Sequence, residues 1–302
     1  MQPGRSDLAD FTYFLAIARH RNFRLAGLEV GVSASGLSHA LKGLETRLGI
    51  RLLNRTSRSV TLTAAGEELR QMIEQPFAKI GDALEAMNQL RETPAGRIRL
   101  NVMEDAASLL LGPVLPTFID RYPDVRIDVA VSNRMVDVID GGFDAGIRYG
   151  GTVPEDMVAQ RLSADIEWTV VASPAYVGRY GVPEHPNDLA RHRCLGVRLG
   201  NDRIYRWEFE RGEEKIEVAP EGVITQDGTQ FARVLVLGGG VIAYLPAPAV
   251  AAEVRNGELV AVLNDWLTPG PGFHIYYSSR RQLPEGLRLL IDTIRELRPL
   301  GL

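Results

Sequence analysis

The sequence of 302 residues contains a single cysteine, Cys194. One thiol cannot form an internal disulfide and fits a reducing compartment, so we expect Cys194 to be a small buried side chain. Histidines are also few, five in all, and no two of them have a metal-binding spacing such as H-x-x-x-H. The sequence therefore predicts neither a disulfide scaffold nor a metal centre, and it indicates no cofactor.

Long apolar runs are missing as well. Glycine, proline or charged residues interrupt every apolar stretch, so no segment reaches the roughly 20 residues that a membrane span needs. The first residues, MQPGRSDLADFTYFLAIARH, lack the basic region, apolar core and cleavage site of a secretory signal. We therefore expect a cytoplasmic protein with no membrane partner.

Catalytic motifs are scarce, and those that occur have the wrong context. GGGVIA, 238–243, fits G-x-G-x-x-A, but a predicted helix precedes it and a strand follows, the reverse of a dinucleotide-binding loop. We interpret it as a helix cap and tight turn. GVSAS, 31–35, starts like a nucleophile elbow, yet it lacks the last glycine and lies between helices. The prediction is that the protein is not an enzyme.

Charge is unevenly distributed. Residues 1–65 carry nine Lys and Arg against four acids, a net charge of +5, and the rest of the chain carries −9. A basic N-terminal segment on an otherwise acidic chain indicates a polyanionic partner for that segment alone. A solvated basic rim without a partner is the other interpretation.

Apolar spacing in this basic segment predicts three helices. Gly31 is expected to end the second helix, Ser33 to cap the third, and Gly49 to end the third. The third helix has four leucines on one side, which we expect to pack on the first two helices: Leu37, Leu41, Leu44 and Leu48. Its other side is polar, which is typical of a helix-turn-helix. Gly36 and Gly43 would let the wall of a groove or another backbone come close to this helix, and close packing inside the domain would explain them too.

The next segment, IRLLNRTSRSVTLT, predicts two short strands around a polar tip at 56–59. Such a hairpin beside a helix-turn-helix is a wing, and it carries Arg55 and Arg58. Small side chains on the helix allow close approach to the major groove, and the two arginines are placed to hold the phosphate backbone.

A long helix is predicted from about Ala64 to Arg91, with Thr63 as its cap and Pro76 as a potential kink. Its apolar residues form a seam of heptad spacing: Ile73, Phe77, Ile80, Leu84 and Met87. A sister helix in a dimer would bury this stripe, and packing on the same chain is the competing interpretation. RETPAG, 91–96, is the predicted hinge.

From Arg97 onward, strand and helix patterns alternate in two series, including a predicted helix over RMVDVIDGG, 134–142. Alternation of this kind predicts open, mostly parallel sheets in two α/β lobes. Ligands of such sheets bind beyond the carboxyl ends of strands, so the gap between the lobes is the predicted pocket.

Residues 8–66, which include the stretches LADFTYFLAIARHRNFRLAG and VSASGLSHALKGLETRLGIRLLNRTSRSVTLTAAG, resemble the N-terminal domain of LysR-type transcriptional regulators. Later stretches such as YPDVRIDVAV, FDAGIRYG, VASPAYV, YRWEFER and GGVIAYLP are similar to the same family. The resemblance covers essentially the whole chain.

The resemblance implies an α/β fold with an N-terminal winged helix-turn-helix, a long linker helix and a C-terminal two-lobed effector domain like type 2 periplasmic binding proteins. The implied boundaries are 1–65 for the DNA-binding domain, 66–96 for the linker, and 97–302 for the effector domain. Its lobes would comprise about 97–165 with 269–302, and 166–268.

The family's functional positions carry over residue by residue. The implied DNA-binding residues are Ser33, Ala34, Ser35, Ser38, His39, Lys42, Arg55 and Arg58. The implied effector-binding residues are Met103, Glu104, Asp105, Ser132, Asn133, Arg148, Tyr149, Gln226 and Asp227. Dimerisation would use Ile73, Phe77, Ile80, Leu84 and Met87. Arg148 suits an effector carboxylate, but Glu104 and Asp105 of the same implied site leave the charge of the effector open.

The implied function is a transcriptional regulator that binds promoter DNA as a dimer or a dimer of dimers, under control of a small-molecule effector. RNA polymerase is a further expected partner if the protein is an activator. Ala34 is often glutamine in the family and His39 often arginine, so we expect shape readout to contribute more here. A solute-binding protein and an enzyme stay open as other classes, to be tested by ligand binding without DNA binding and by turnover.

Overall fold

The computed structural model describes residues 5–55, 59–88, 93–139, 141–154, 157–200, 202–220, 222, 224–267, 269–278 and 283–302. The chain divides into two compact units, one containing the N-terminal residues up to Pro94 and the other most of the residues that follow. Within these ranges, every helix is either too short or too polar to cross a membrane.

The first unit begins as a winged helix-turn-helix. Its elements are α1 Arg5–His20, α2 Phe23–Val30, α3 Ala34–Leu48 and the antiparallel strands β1 Leu53–Arg55 and β2 Val60–Leu62. The predicted helix ends are confirmed, because Gly31 and Gly49 take left-handed φ angles of 71° and 68°. The predicted cap is confirmed too, since Ser33 Oγ accepts the Gly36 N–H at 3.1 Å.

One cluster of buried side chains holds these helices together. It contains Phe14 and Ile17 of α1, Ala26 of α2, and Leu37, Leu41 and Leu44 of α3. Burial of a leucine contributes about 1.5–3 kcal/mol, so the three leucines fix the position of α3. The prediction for Leu48 is wrong: it is 41% exposed, because it is the last residue of α3 and the chain turns at Gly49 directly after it.

A fourth helix, α4, spans Ala64–Asn88 and includes Pro76. Thr63 caps it as predicted, since its Oγ1 accepts the Gly66 N–H at 3.0 Å. The predicted continuation to Arg91 and the start of the predicted hinge lie outside the described residues.

The second unit contains the remaining elements. Its strands are β3 Gly96–Val102, β4 Val125–Val131, β5 Ala145–Tyr149, β6 Met157–Arg161, β7 Ile166–Ala172, β8 Leu195–Val197, β9 Trp207–Arg211, β10 Glu214–Val218, β11 Ile224–Gln226, β12 Ala243–Pro246, β13 Val260–Val262, β14 Pro269–Gly270 and β15 Phe273–Ser278. Its helices are α5 Gly112–Arg121, α6 Pro174–Tyr180, α7 Thr229–Leu237, α8 Ala247–Arg255 and α9 Glu285–Leu297. A π-helical turn, Ala106–Leu111, precedes α5.

Two sheets form two lobes within this unit. The first lobe has the strand order β4-β3-β5-β15-β6, and the second has β12-β7-β13, with the parallel pair β11-β8 joined to β12 through a bridge between Cys194 and Ile242. The chain passes from β6 to β7 in the second lobe and returns at β15. The first lobe is therefore built from two separate parts of the chain, and the second lobe from the part between them.

The prediction of mostly parallel sheets is wrong. β3 pairs in parallel with β4 and β5, but β15 runs antiparallel to β5 and β6, and β7 runs antiparallel to β12, β13 and β14. Both β7 and β15 directly follow a crossing between the lobes, and each enters its sheet against the direction of its neighbours. Strand spacing along the sequence does not carry this information.

The predicted helix over 134–142 is also wrong among the residues described there, which form turns. The Asp137 carboxylate accepts the Ile139 N–H at 2.8 Å, an Asx turn that competes with helix formation. The N–H of Gly141 donates to the Asp137 carbonyl, and Gly142 takes a φ of 68°. Local polar and glycine chemistry therefore outweighs the apolar spacing in this segment.

Candidate nucleic-acid interface and effector cleft

The outward face of α3 is polar and open. Because Leu37, Leu41 and Leu44 occupy the buried side, the residues on the other side reach solvent. Ser33, Ala34, Ser35, His39 and Lys42 are exposed, and Ser38 is half-buried. The six positions expected to meet DNA are thus brought together at and along one helix. A Cβ on Gly36 would lie 2.9 Å from Val32 Cγ1, so close local packing explains this glycine.

Arg55 makes its contacts inside the first unit. Its Nη1 donates to Ser38 Oγ at 3.0 Å, its Nη2 lies 3.6 Å from Glu45 Oε2, and its guanidinium lies 4.9 Å from the centre of the Phe23 ring. These contacts tie strand β1 to α3 and α2, and the phosphate contact expected of Arg55 stays a prediction. Arg58, the second predicted wing arginine, lies outside the described residues.

Glu45 completes this connection and was missed in the sequence. Its Oε1 accepts the backbone N–H groups of Leu52 at 2.8 Å and Leu53 at 3.1 Å, while Oε2 faces Arg55. A carboxylate on α3 thereby fixes the start of the wing relative to the polar helix face. Glu45 lies one residue after the last buried leucine, where the apolar pattern gives no reason to single it out.

The five predicted dimerisation residues fall into two groups. Ile73 packs against the core of the first unit, and Phe77 meets Phe11 of α1 edge to face at 6.4 Å. The competing interpretation, packing on the same chain, therefore holds for these two residues. Ile80, Leu84 and Met87 are 52%, 69% and 60% exposed. The second half of α4 carries an apolar stripe that the described residues of its own chain leave open.

In the second unit, polar residues following several strands meet between the two lobes. Asn133, after β4, accepts the Glu104 N–H with its Oδ1 at 2.9 Å and donates from Nδ2 to the carbonyl of Asp227, after β11. Its amide thus joins a loop of the first lobe to a loop of the second. Glu104, Asn133 and Asp227 are three of the predicted effector-binding residues, and the structure brings them together.

Glu104 also reaches the beginning of α7. Its Oε2 accepts the N–H of Gln230 at 3.3 Å, and a Cβ on Gly228 would lie only 2.9 Å from the same oxygen. Gly228 is the N-cap of α7 and offers no side-chain cap. A carboxylate of the first lobe therefore accepts a hydrogen bond at the electropositive N-terminal end of a helix in the second lobe. This contact stabilises both the carboxylate and the helix end.

Asp105 is buried beside this contact. Tyr149 Oη donates to Asp105 Oδ2 at 2.9 Å, and the side chain of Thr229, the first residue of α7, bonds to the same carboxyl group. Burial raises the pKa of Asp105, and the Glu104 charge adds to the rise, although these two hydrogen bonds counteract it. Burial, with the neighbouring Asp105, also raises the pKa of Tyr149 well above its usual value.

A cavity of about 410 Å³ opens at this place. It is lined by Glu104, Val131, Ser132, Asn133, Arg134, Asp227, Gly228 and Phe231. Four of the nine predicted residues line it. Val131, Arg134, Gly228 and Phe231 were missed, although each neighbours a predicted loop in sequence or follows it by one helical turn. Arg134 is the cation of this lining, against the carboxylates of Glu104 and Asp227.

Arg148 does not line that cavity. It is 3% exposed, its Nη2 donates to Asn101 Oδ1 and to the Arg134 carbonyl, and its Nε has no hydrogen-bond partner among the described residues. Burial lowers its pKa. Through its bond to the Arg134 carbonyl, the guanidinium supports the loop at 132–134. This geometry gives no support to the expected pairing of Arg148 with an effector carboxylate, which stays a prediction.

Three other predicted residues stay close to the cavity without lining it. Met103 donates its N–H to the Ile147 carbonyl, Gln226 is buried with its Oε1 accepting the Gly228 N–H, and Tyr149 packs on Trp168 of β7 with ring centres 5.6 Å apart. Trp168 is half-buried. The Tyr149–Trp168 contact gives the lobes a second, aromatic connection.

Two remaining sequence predictions concern structure rather than binding. Cys194 is buried, its Sγ donates to the Leu189 carbonyl, and burial raises the pKa of its thiol to about 12, which confirms a structural side chain. Gly238 is the C-cap of α7 and Gly239 has a φ of 76°, so GGGVIA is a helix cap and turn as interpreted. No three of the described His, Cys, Asp and Glu side chains are grouped to hold a metal ion.

Comparisons with known proteins agree with this architecture. Residues 8–67 match the model of the bacterial regulatory helix-turn-helix protein, lysR family, and residues 91–299 match the LysR substrate binding domain. The HTH-type transcriptional regulator YcaN of Escherichia coli K12 is 38% identical over 96% of this chain and 95% of its own. A putative transcriptional regulator of Pseudomonas aeruginosa PAO1 is 35% identical over 98% and 97%.

Among solved structures, the full-length Vibrio cholerae virulence activator AphB matches with a TM-score of 0.69 at 23% identity, covering 96% of this chain and 99% of AphB. At that identity the likeness concerns the fold. The relatives and the matched families are transcriptional regulators, so the enzyme and solute-binding classes no longer apply. The chain belongs to the LysR family, DNA-binding transcriptional regulators whose action on promoters is controlled by a small-molecule effector.

Proposed function

We propose that α3 contacts operator DNA with Ser33, Ala34, Ser35, Ser38, His39 and Lys42. The observation that carries this assignment is the separation of the two sides of α3, with three leucines at most 1% exposed and the polar side open to solvent. A polar helix face on a module with a net charge of +5 suits the major groove. Short serine and alanine side chains let the helix backbone come near the base edges.

The wing has a divided role in this proposal. Arg58 contacts the phosphate backbone, an assignment that rests on its sequence position at the wing tip. Arg55 is a positioning residue that holds β1 against Ser38 and Glu45, so that the wing and the α3 face keep one geometry. Both roles concern affinity and register rather than base preference.

The exposed stripe Ile80, Leu84 and Met87 on α4 buries against the same stripe of a second copy, giving a dimer that presents two α3 helices to two half-sites. A dimer of dimers is the larger assembly in this proposal. The functional boundaries are 1–65, 66–96 and 97–302. A regulator of this kind acts in the cytoplasm, and RNA polymerase is its partner if it activates transcription.

The effector site is the cavity between the lobes, with Glu104, Ser132, Asn133 and Asp227 as its polar contacts. Five predicted residues that do not line the cavity support these contacts: Met103, Asp105, Arg148, Tyr149 and Gln226. A small metabolite that replaces the Asn133 and Glu104 contacts changes the relation between the lobes, and this change alters promoter binding.

Protection of the DNA upstream of the protein's own gene tests the DNA-binding assignment. The purified full chain is expected to protect a dyad-symmetric segment from nuclease, and a Ser35→Ala/His39→Ala variant to lose this protection while keeping its thermal stability. Thr12→Ala, a change on the exposed side of α1, serves as the matched control and keeps the footprint. Failure of the wild type to protect any fragment even at low salt contradicts the proposal.

A further inference from the structure

An open groove of about 640 Å³ lies between the second half of α3 and strand β1. Its lining consists of Lys42, Glu45, Thr46, Gly49, Ile50, Arg51, Leu53, Asn54 and Arg55. Lys42 is one of the proposed DNA contacts of α3, and Glu45 and Arg55 position the wing; the other lining residues have no DNA-binding role in the preceding proposal. The groove therefore adds a surface whose purpose the α3 reading face does not explain.

The groove continues the polar face of α3. At 100° per residue, Lys42 and Thr46 follow Ser35 at seven and eleven positions and lie within about 20° of it around the helix axis. Ser35, His39, Lys42 and Thr46 are all exposed. A duplex that meets Ser35 and His39 has the groove directly along its path.

The groove has an excess of positive charge. Arg55 faces Glu45, so these two groups neutralise each other. Lys42 and Arg51 are exposed, and no described carboxylate forms an ion pair with either. Three other arginines of the same unit are neutralised by carboxylates within it: Arg19 by Glu29, Arg47 by Asp7 and Asp10, and Arg70 by Glu67 and Glu74.

A hydrogen-bonding side chain accompanies the two cations. Asn54 is exposed on β1, opposite Thr61 in the hairpin register. Its amide offers two N–H donors of the kind that phosphate oxygens accept. Two cations and an amide around one open groove suit a single backbone phosphate better than a base edge, since a phosphate is anionic and accepts hydrogen bonds only.

We infer that this groove is a second DNA-contact site, in which Arg51 and Lys42 neutralise a backbone phosphate and Asn54 donates to it. The inference rests on the proposed reading of DNA by α3 and extends it. The site sets the register of α3 on the duplex, while Ser35 and His39 supply the preference for bases. Arg51 and Asn54 are thereby added to the functional residues of the DNA-binding domain.

The salt dependence of DNA binding tests this inference. A contact to one phosphate of duplex DNA contributes about 0.9 to the slope of log K against log salt concentration. Arg51→Gln is expected to reduce the slope of the full chain on its operator by about one, whereas Arg51→Lys, which keeps the charge, retains it. The order of preference among operator variants stays that of the wild type.

Arg47→Gln is the matched control, because it removes the same charge four residues away from a guanidinium that Asp7 and Asp10 already neutralise. It is expected to leave the slope unchanged. An unchanged slope in Arg51→Gln overturns the inference, and so does an equal reduction in both variants, since that result reports only the general field of the unit. If the wild type itself fails to bind, the proposed function falls and not this site alone.

Discussion

Glu104 Oε2 accepts the backbone N–H of Gln230 at 3.3 Å, so a carboxylate that follows the first strand of one lobe caps the first turn of α7 in the other. Asn133 adds a bridge to the Asp227 carbonyl beside it. The two lobes are therefore connected across the cavity by side chains of the chain itself. Under the proposed function, an effector that enters this cavity competes with these contacts, and their loss is the proposed control step.

Asn133→Ala should loosen the connection between the lobes. It removes hydrogen bonds to both loops, each of which contributes about 1 kcal/mol. The two lobes are then expected to separate more readily, with more solvent around the half-buried Trp168. The measurement is intrinsic fluorescence, which we expect to shift to the red. Trp207 and Trp266 are at most 1% exposed, so Trp168 is expected to dominate the shift.

Asn264→Ala is the control, because the described hydrogen bond of its side chain goes to the Ala261 carbonyl of β13 in the same lobe, away from the cavity. An emission maximum of the Asn133→Ala protein equal to that of the wild type would contradict the role given to this amide.

The buried Asp105 should make stability depend on pH. Burial raises its pKa in the folded state, so the folded protein holds this proton more tightly than the unfolded chain. The stabilising contribution is fully present below the unfolded pKa and is lost as pH rises through the folded pKa. Asp105→Asn, which cannot ionise, is expected to gain in melting temperature relative to the wild type as pH rises from acid to neutral.

Thermal unfolding of both proteins between acid and neutral pH measures this difference. Asp165→Asn, at an exposed acid of the same unit, is measured alongside as the control. A melting-temperature difference for Asp105→Asn that stays constant across the range would contradict the assignment.

Glu45 and Arg55 should act as a coupled pair in wing placement. Glu45→Ala leaves the Leu52 and Leu53 N–H groups without their acceptor and is expected to cost about 2–3 kcal/mol of stability. Arg55→Ala should cost about 1 kcal/mol, because its contacts are partly exposed. The double variant is expected to lose less than the sum, by about 0.5 kcal/mol or more. Denaturant titration of the four proteins measures the cycle, and strict additivity would speak against a coupled anchor.

The two halves of α4 should respond differently to substitution. Leu84→Arg introduces a charge into the exposed stripe and is expected to shift the protein towards the monomer in sedimentation experiments. Phe77→Ala removes the ring that packs on Phe11 and is expected to destabilise the first unit instead, by about 3 kcal/mol at most for a half-buried ring. A Leu84→Arg protein that sediments like the wild type would exclude this stripe from the dimer interface.

The winged helix-turn-helix was predictable because its signals are local. Gly31, Ser33 and Gly49 mark helix ends by backbone geometry and capping chemistry, and the leucine spacing identifies the buried side of α3. The long helix and most strands of the lobes follow from the same kinds of pattern. Similarity to a known family then supplied the candidate site residues.

The predictions that failed have two kinds of cause, contacts distant in sequence and hydrogen bonds of local polar side chains. The direction of β7 and β15 is decided by where the chain crosses between the lobes, and no strand pattern encodes it. The contacts that Arg55 and Arg148 make within the chain were not predicted, and their assigned ligand roles stay predictions. Their partners, Glu45 and Asn101, come from other elements that folding brings near. The turn at Asp137 was missed because a side-chain hydrogen bond competes there with an apolar spacing typical of a helix.

The reading of DNA by the open face of α3 is tested most directly by the ranking of operator variants. Affinities of the full chain for an operator and its single-base variants are compared between wild type, His39→Ala and Ser35→Ala. Each substitution is expected to remove the discrimination of about 1–3 kcal/mol that a contacted base pair carries, and so to reorder the variants. If both variants bind all sites in the wild-type order and with wild-type discrimination, α3 does not read the sequence through this face.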